Sequence, residues 1–403
     1  MSYKYIPNGT VTSPRGFLAG ATSAGIKTEE EGYLDLGLLY SERPCAAAGV
    51  FTTNLIKAAP VILCQERLKR RKAQAIVVNS GCANACTGSR GLADAEEMAI
   101  LGARKLNLAP EEVMVASTGV IGRNLPLDKI SRGLARIKIS REGGHELARA
   151  IMTTDTLPKE VAVEFEVKGG KAILGGIAKG AGMIHPNLAT LLCFLTTDAR
   201  VEPEFLQEAL KQAVDISFNM ITVDGDTSPN DSVLLLANGL AGNKKITADS
   251  PEGLEFQTAL NEVCTYLAKN IVRDGEGATK LIEVTVEGAL SSGEARIVAR
   301  TIASSPLVKA AIHGSDPNWG RIVAAAGRSG AKIEEAKLDL YLGQLCLVRG
   351  GCPLNFDYEK ARKILSREEI SLRLCLNLGS GKATAWGCDL SEEYVTINSA
   401  YTT

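Results

Sequence analysis

The sequence predicts a layered α+β fold. Along its 403 residues, apolar positions alternate between the two-residue period of strands and the longer period of helices. Strand candidates often follow one another directly, as residues 161–167 and 172–178 do, which favours antiparallel sheets over a strict parallel strand–helix–strand series. Because no repeat, low-complexity tract or flexible linker interrupts this pattern, we expect the chain to pack as one body.

The individual elements follow from the same periodicity. Strand candidates carry short apolar runs or two-residue alternation, and helix candidates carry apolar residues three and four positions apart. Strands are predicted at residues 75–78, 113–116, 161–167, 172–178, 191–196, 232–237, 281–287, 337–342, 371–378 and 382–388. Helices are predicted at residues 93–106, 127–138, 144–152, 203–218, 251–271, 293–304 and 318–326.

Composition narrows the class of protein. Hydrophobic residues make up 45% of the chain and charged residues 23%, which is typical of a soluble globular protein with a core large enough for an enzyme. A net charge of -1 gives no attraction to nucleic acid or to an anionic membrane. The one basic run, 67–72, is interpreted as a solvated helix end. The start does not resemble a signal peptide and no apolar run has membrane-spanning length, so we expect a cytoplasmic protein.

Cysteine and histidine usage argues against a metal site. The ten cysteines are scattered and mostly lie in apolar runs, as buried free thiols do. Only Cys82 and Cys86 are close together, without a matching second pair, and the chain has three histidines.

Two familiar ligand loops are also excluded. Residues 379–383 resemble the end of a phosphate-binding loop but lack its earlier glycine and its final serine or threonine. Residues 224–235 resemble a calcium loop, but Pro229 and Leu235 occupy positions that require glycine and a carboxylate. A polar turn is the better interpretation of residues 224–231.

One small-residue step, Ala189–Thr190, stands between a glycine-rich stretch and an apolar strand. A threonine there can attack the peptide bond before it, and cleavage would leave Thr190 with a hydroxyl nucleophile and an α-amine base on one residue. Considered alone, Thr190 is better explained as an ordinary strand residue. His185, five residues upstream and followed by proline, is expected to be structural rather than catalytic.

Two further turns are candidate parts of a site. Residues 113–122 form a strand that ends in small residues and glycines, a pattern that can present backbone N–H groups to a developing oxyanion. A plain strand-to-loop turn explains the same residues. The small polar turn 79–85 would suit a close approach of backbone to ligand.

Taken together, these features resemble the ornithine acetyltransferases, also called the bifunctional glutamate N-acetyltransferase/amino-acid acetyltransferases of arginine biosynthesis. The resemblance covers nearly the whole chain. One departure is Leu191, where the family often has methionine, and it keeps the position apolar. The motifs that carry the resemblance are residues 14–17, 25–27, 48–54, 79–84, 117–122, 152–156, 179–190, 274–280, 316–321 and 398–403.

The resemblance implies an N-terminal-nucleophile-like αββα sandwich, cut between Ala189 and Thr190 into an α chain (1–189) and a β chain (190–403). It implies a tetramer of two α and two β chains. Thr190 would be the nucleophile, and Thr118 and Gly119 would form the oxyanion hole. Substrate contacts would fall at Thr153, Lys179, Thr190, Glu276, Asn398 and Thr403, with Thr154 as the alternative to Thr153.

The implied reaction moves an acetyl group from N-acetylornithine to Thr190 and then to glutamate, in a ping-pong sequence. No metal or nucleotide cofactor is expected, and use of acetyl-CoA as a second donor stays open. From residue type, Lys179 and Glu276 would hold the charged ends of the amino-acid substrates. Two alternatives remain: an aminopeptidase of the same architecture, in which water resolves the acyl-enzyme, and a binding protein in which Thr190 never cleaves its chain.

Overall fold

Two mixed β-sheets form the centre of the molecule. The computed structural model describes residues 3–28, 30, 32–185 and 191–400. The strands in this part are β1 (Tyr3–Tyr5), β2 (Phe17–Thr22), β3 (Leu36–Phe51), β4 (Lys72–Cys82), β5 (Val113–Val120), β6 (Lys159–Val167), β7 (Gly170–Lys179), β8 (Leu192–Thr197), β9 (Ile221–Thr222), β10 (Ser232–Ala237), β11 (Leu281–Ala289), β12 (Asp339–Leu342), β13 (Leu345–Arg349), β14 (Cys352–Pro353), β15 (Glu369–Cys375) and β16 (Gly381–Cys388).

Helices connect and cover these strands. None of the helices in the described part is long and apolar enough to cross a membrane. They are α1 (Ala59–Arg67), α2 (Gly88–Leu106), α3 (Leu127–Arg136), α4 (Gly144–Ala150), α5 (Pro203–Ile216), α6 (Pro251–Arg273), α7 (Ser292–Ala303), α8 (Pro306–His313), α9 (Trp319–Gly327), α10 (Tyr358–Leu365) and α11 (Glu392–Ala400).

The larger sheet, sheet 1, has nine strands in the order β1-β6-β7-β8-β10-β3-β4-β5, with β2 paired to β3. The 16-residue strand β3 pairs with β2 through its first half and with β10 through its second half. Strands β8 and β10 are parallel, as are β4 and β5, whereas the other neighbours are antiparallel.

Sheet 1 is buried on both faces. Along β8, Cys193 and Leu195 belong to one hydrophobic core, whereas Leu192 and Phe194 belong to the other. Because side chains alternate along a strand, a strand covered on both faces has a continuous apolar sequence. Helices α1 to α4 cover one face of the sheet, and α5 and α6 cover the other.

The smaller sheet, sheet 2, has seven strands in the order β14-β13-β12-β15-β11-β16-β9. Helix α7 lies across β11 and β16. Helix α6 packs on β6 and β7 of sheet 1 and also contacts β9 and β16, so one hydrophobic core joins the two sheets. The predicted α+β fold, with mixed sheets and helices packed against them, is confirmed.

The predicted helices and strands are all present, with ends that differ by a few residues. Strand β3 was missed, because its middle carries the exposed polar residues Glu42 and Arg43, and Pro44 cannot donate to the ladder. The interpretation of residues 67–72 as solvated was wrong at its first position. Arg67 is buried and donates to the carbonyl oxygens of Pro110 (2.7 Å) and Val113 (2.6 Å).

The expected boundary between residues 1–189 and 190–403 falls between two neighbouring strands of sheet 1. Strands β8 and β10 come from the second segment, and they lie between β7 and β3 of the first segment. The expected cleavage site, Ala189–Thr190, lies outside the described residues.

Candidate active site

One pocket brings together the predicted site residues that the structure describes. Its cavity volume is about 150 Å3. The residues lie at the end of β5, after α4, at the end of β7, after α6 and on α11, so five separate parts of the chain contribute. The predicted residues that line the pocket are Thr118, Gly119, Thr153, Lys179, Glu276 and Asn398. Ala189, Thr190 and Thr403 lie outside the described residues.

Close packing of two glycines fixes the turn that was predicted to be the oxyanion hole. Gly119 has φ +123° and pairs with Gly81 at the ends of β5 and β4. A Cβ at Gly119 would lie 2.4 Å from the carbonyl carbon of Gly81, so no larger residue fits without a backbone shift. Behind the turn, the Ser117 hydroxyl donates to Asn79 Oδ1 (2.7 Å) and Asn230 Nδ2 donates to the Ser117 carbonyl (2.8 Å).

The buried Lys179 ammonium orients two hydroxyl groups in the pocket. It is 3% exposed, and its Nζ donates to Thr118 Oγ1 (3.2 Å) and Thr153 Oγ1 (2.8 Å). An ammonium has only donors, so each threonine accepts this bond and keeps its own proton for another acceptor. Thr153 and Thr154 both line the pocket, and the contact with Lys179 is made by Thr153. Burial lowers the pKa of Lys179, and the nearby Asp155 opposes that shift.

Asp155, which sequence analysis missed, holds the backbone beside both of these side chains. Its oxygens accept the amides of Gly180 (2.7 Å) and Thr153 (3.0 Å) and the ammonium of Lys159 (2.5 Å). Burial alone would raise the pKa of Asp155, but Lys159 and Lys179 lower it to about 2. The carboxylate is therefore charged, and it holds the backbone at Thr153 and at Gly180.

Glu276 and Asn398 line the same pocket and contact each other. The Glu276 amide donates to the Ala181 carbonyl (2.9 Å), and Asn398 Nδ2 donates to Glu276 Oε2 (2.8 Å). A Cβ at Gly182 would lie 2.5 Å from both carboxylate oxygens of Glu276, so the absence of a side chain there lets the carboxylate approach the backbone. Tyr394, also on α11, lines the pocket as well.

Two carboxylates, the half-buried Asp224 and the buried Asp231, hold the backbone on either side of residues 186–190. Asp224 accepts the two consecutive amides at 183–184, at 2.6 and 2.9 Å. Asp231 accepts the amide of Leu191 at 3.0 Å. Burial raises the pKa of Asp224 to about 6 and also raises the pKa of Asp231.

The stretch 224–231, interpreted as a polar turn, therefore belongs to the site. In the part of the chain that the structure describes, no group of three His, Cys, Asp or Glu residues could hold a metal ion. His185, expected to be structural, lies with its Nδ1 3.2 Å from Thr222 Oγ1, and burial lowers its pKa. The sequence carries no signal for the pairing of Asp224 and Asp231 with amides some forty residues away.

The fold and the pocket together define a mixed-sheet α+β protein with a small polar site, built from oriented hydroxyls, a buried lysine and carboxylates. A model of the ArgJ family matches residues 18–403, and the chain belongs to the ArgJ family. The resemblance to the ornithine acetyltransferase family is thereby confirmed.

Two similar proteins match this chain over all or nearly all of its length, and a solved structure matches about half of it. An arginine biosynthesis bifunctional protein ArgJ of Dehalococcoides mccartyi (strain CBDB1) is 55% identical over 402 residues, covering 100% of this chain and 99% of its own. That of Symbiobacterium thermophilum is 53% identical over 397 residues, covering 98% and 99%. The crystal structure of the ArgJ protein of Bacillus halodurans is 45% identical, with a TM-score of 0.50, and covers 51% of this chain and 97% of its own.

Proposed function

We propose that this protein transfers the acetyl group of N-acetylornithine to glutamate through an ester on Thr190, as a step of arginine biosynthesis. Before that, Thr190 would cleave the peptide bond after Ala189 and so expose its own α-amine. The observation that carries the proposal is the pocket itself. Six predicted site residues from five separate parts of the chain line it, and the backbone on both sides of residues 186–190 is held beside it.

In the first half-reaction, the Thr190 hydroxyl attacks the acetyl carbonyl and passes its proton to the α-amine of the same residue. The negative charge that develops on the carbonyl oxygen needs hydrogen-bond donors held in place beforehand. The Thr118 hydroxyl fits this role, because Lys179 occupies its acceptor side and leaves its proton free. The amide of Gly119, in a turn that only glycine fits, would be the second donor.

Collapse of this intermediate breaks the C–N bond. The α-amine of Thr190 returns the proton to the leaving nitrogen, and ornithine departs. In the second half-reaction the amino group of glutamate attacks the ester, N-acetylglutamate leaves, and the Thr190 hydroxyl is restored. Lys179 and Glu276, which both line the pocket, are suited to the carboxylate and ammonium groups of these substrates. No cofactor takes part in these steps.

Two observations support cleavage at Thr190. The Bacillus halodurans crystal structure covers 97% of its own chain but 51% of this one, as expected for one product of a cut near the middle. In addition, the amide of Leu191, immediately after the proposed new N-terminus, is fixed by a buried carboxylate. The relatives are named bifunctional proteins of arginine biosynthesis, and we propose acetyl-CoA as a candidate second acetyl donor.

The test compares the wild-type protein with Thr190→Ala and with the matched control Thr190→Ser, which keeps a hydroxyl. On a denaturing gel, wild-type protein and Thr190→Ser should give two fragments, the second beginning at residue 190. Thr190→Ala should give one full-length band and lose glutamate acetylation by at least about 10³-fold, because the nucleophile is absent. Assays with N-acetylornithine and with acetyl-CoA separately decide which donors are used.

Each alternative gives a different result. A binding protein would give one full-length band for the wild type as well. An aminopeptidase would be cut at Thr190 but would hydrolyse peptides and fail to acetylate glutamate.

We propose further that two cut molecules assemble in the cytoplasm as a tetramer of two α and two β chains. Sedimentation of the native protein at twice the mass of one cut molecule supports this assembly, and sedimentation at one mass contradicts it.

A further inference from the structure

Thr153 is held by three charged side chains, although it lies in a segment that is neither helix nor strand. Residues 151–158 form this segment, which connects α4 to β6. Asp155 accepts the Thr153 amide (3.0 Å), and Lys179 donates to the Thr153 hydroxyl (2.8 Å). Lys27 donates to the remaining polar group, the Thr153 carbonyl, at 3.0 Å. Of these three partners, Lys27 has no role in the reaction described above.

The Lys27 ammonium binds the backbone at two consecutive residues. Besides the Thr153 carbonyl, it contacts the Met152 carbonyl at 3.4 Å. The side chain is half-buried, and burial lowers the pKa of Lys27, whereas the nearby Asp155 and Asp35 oppose that shift. Because carbonyl groups outside helices and strands need partners from elsewhere, this ammonium fixes the backbone at Thr153.

The backbone of Lys27 is itself fixed by a buried carboxylate. Asp35 is 0% exposed and immediately precedes β3. It accepts three amides of one loop, those of Ala24 (2.6 Å), Ile26 (2.5 Å) and Lys27 (3.0 Å). The Asp35 carbonyl accepts the amide of Ser80, in β4, at 2.9 Å. The loop that carries Lys27 is therefore tied to two strands of sheet 1.

Lys27 also packs behind the turn that was predicted to be the oxyanion hole. A Cβ at Gly81 would lie 2.5 Å from the Lys27 Cα, and Gly81 pairs with Gly119. The backbone of Lys27 is thus in close contact with the strand end beside Thr118, while its side chain reaches Thr153. One residue therefore connects the two parts of the pocket that carry these hydroxyl groups.

We propose that Lys27 is a positioning residue of the active site: its ammonium holds the Thr153 carbonyl and so fixes the Thr153 hydroxyl where it meets the amino-acid substrate. This inference rests on the proposed function, in which Thr153 is a substrate contact. Lys179 occupies the acceptor side of that hydroxyl, so its proton is left for a carboxylate oxygen of the substrate. A hydroxyl fixed beforehand loses less freedom on binding, so Lys27 should affect substrate affinity more than the chemical step.

The test is Lys27→Met, which keeps an unbranched side chain and removes the ammonium. The KM for N-acetylornithine should rise by about 10-fold, the loss expected for one hydrogen bond to the substrate. The kcat should stay within about 3-fold of wild type, because Thr118 and Gly119 keep their own contacts. Lys27→Arg, whose guanidinium can donate to the same carbonyl, should return KM to within about 3-fold of wild type.

A purely structural role of Lys27 would give a different pattern. Loss of folded protein lowers the apparent kcat and leaves KM unchanged, because unfolded molecules take no part in the assay. Combining Lys27→Met with Thr153→Val tests the route of the effect. If Lys27 acts through the Thr153 hydroxyl, the double variant should have the same KM as Thr153→Val alone. Rises in KM that add together overturn the proposal.

Lys129→Met is the matched control. Lys129 donates to the Gly25 carbonyl at 2.6 Å, so it contacts the loop that carries Lys27 at another residue. Its KM and kcat should equal those of the wild type. An equal rise in KM for Lys129→Met would mean that order in the loop, rather than the contact with Thr153, matters. That result, or an unchanged KM for Lys27→Met, overturns the proposal for Lys27.

A crystal structure of the wild-type protein with ornithine bound tests the same contacts without a variant, should Lys27→Met fail to fold. Lys27 Nζ should lie about 2.7–3.2 Å from the Thr153 carbonyl oxygen, and Thr153 Oγ1 should lie within about 3.2 Å of a polar atom of ornithine. A distance beyond about 4 Å for either contact overturns the proposal. Failure of the proposed function looks different, because wild-type protein would then transfer no acetyl group from N-acetylornithine to glutamate.

Discussion

Two buried lysines, Lys159 and Lys179, lie near Asp155, and their hydrogen-bond partners differ. Lys159 contacts two carboxylates, with its Nζ 2.5 Å from Asp155 Oδ1 and 2.5 Å from Asp274 Oδ2. Lys179 is just as buried, but the partners that its Nζ has in the described part of the chain are the hydroxyls of Thr118 and Thr153. The positive charge of Lys159 is thus compensated by carboxylates at contact distance, whereas the positive charge of Lys179 has no carboxylate at contact distance in the described residues.

This difference separates a structural lysine from a functional one. A buried cation held by two carboxylates has its desolvation offset by direct attraction, and removing it leaves uncompensated charge. A buried cation bound to neutral hydroxyls is destabilised by its own burial, a state typical of groups retained for chemistry. The following variants test whether Lys159 is needed for stability and Lys179 for activity.

The largest effect should come from Lys159→Met. The change leaves the carboxylates of Asp155 and Asp274, which are nearly buried, facing each other's charge without a cation between them. The free energy of unfolding, measured by urea denaturation, should fall by about 3–5 kcal/mol. The control is Lys171→Met, which removes an exposed ion pair with Glu164 and should leave the urea midpoint unchanged. A loss below about 1 kcal/mol for Lys159→Met contradicts the structural role.

Lys179→Met should have the opposite profile. Without the ammonium, the Thr118 hydroxyl is no longer held as a donor, so kcat should fall by about 10²–10³-fold, as when one oxyanion donor is lost. The free energy of unfolding should stay within about 1 kcal/mol of wild type, because burial already disfavours the charged lysine. Steady-state kinetics and urea denaturation on the same preparation measure both. If Lys179→Met keeps a normal kcat but loses stability, Lys179 is a structural residue like Lys159, and the proposed difference between the two lysines is wrong.

The smallest effect concerns Asp155, which both lysines share. Its pKa in the folded protein is about 2, below the ordinary 3.8, so its contribution to stability is complete above about pH 4. That contribution is lost as the pH falls through 2, and it amounts to about 2 kcal/mol. The difference in unfolding free energy between wild type and Asp155→Asn should therefore narrow by that amount from about pH 5 to about pH 2. A constant difference would show that the lysines do not hold this carboxyl ionised.

The sequence predicted the framework of the pocket well, because short-range patterns encode it. The apolar runs that became β5, β7 and β8 are continuous, as strands buried on both faces require. Glycines at a strand end indicated the turn at Thr118 and Gly119. The motifs shared with the family supplied Thr153, Lys179, Glu276 and Asn398, which periodicity alone would not have selected.

The remaining features could not be read from local sequence. Helix α11 carries Asn398 but buries none of its residues, so it lacks the apolar stripe by which helices are predicted. Asp155, Asp224 and Asp231 act on backbone amides, which every residue possesses, so no residue type marks their partners. Only the folded chain brings those amides to the carboxylates.

The order of strands in sheet 1 determines whether the two segments of a cut molecule can exchange with those of another molecule. Strand β8 is paired with β7 from Leu192↔Lys179 to Thr197↔Leu174, and β10 is paired with β3 from Ser232↔Phe51 to Ala237↔Ala46. In a protein cut at residue 190, these strand pairs would hold residues 1–189 and 190–403 together in one sheet. The two segments would therefore not exchange with those of another molecule. Consider two inactive variants, one changed within residues 1–189 and the other within residues 190–403. If both are cut first and then mixed, we expect no recovery of activity, because their halves do not exchange.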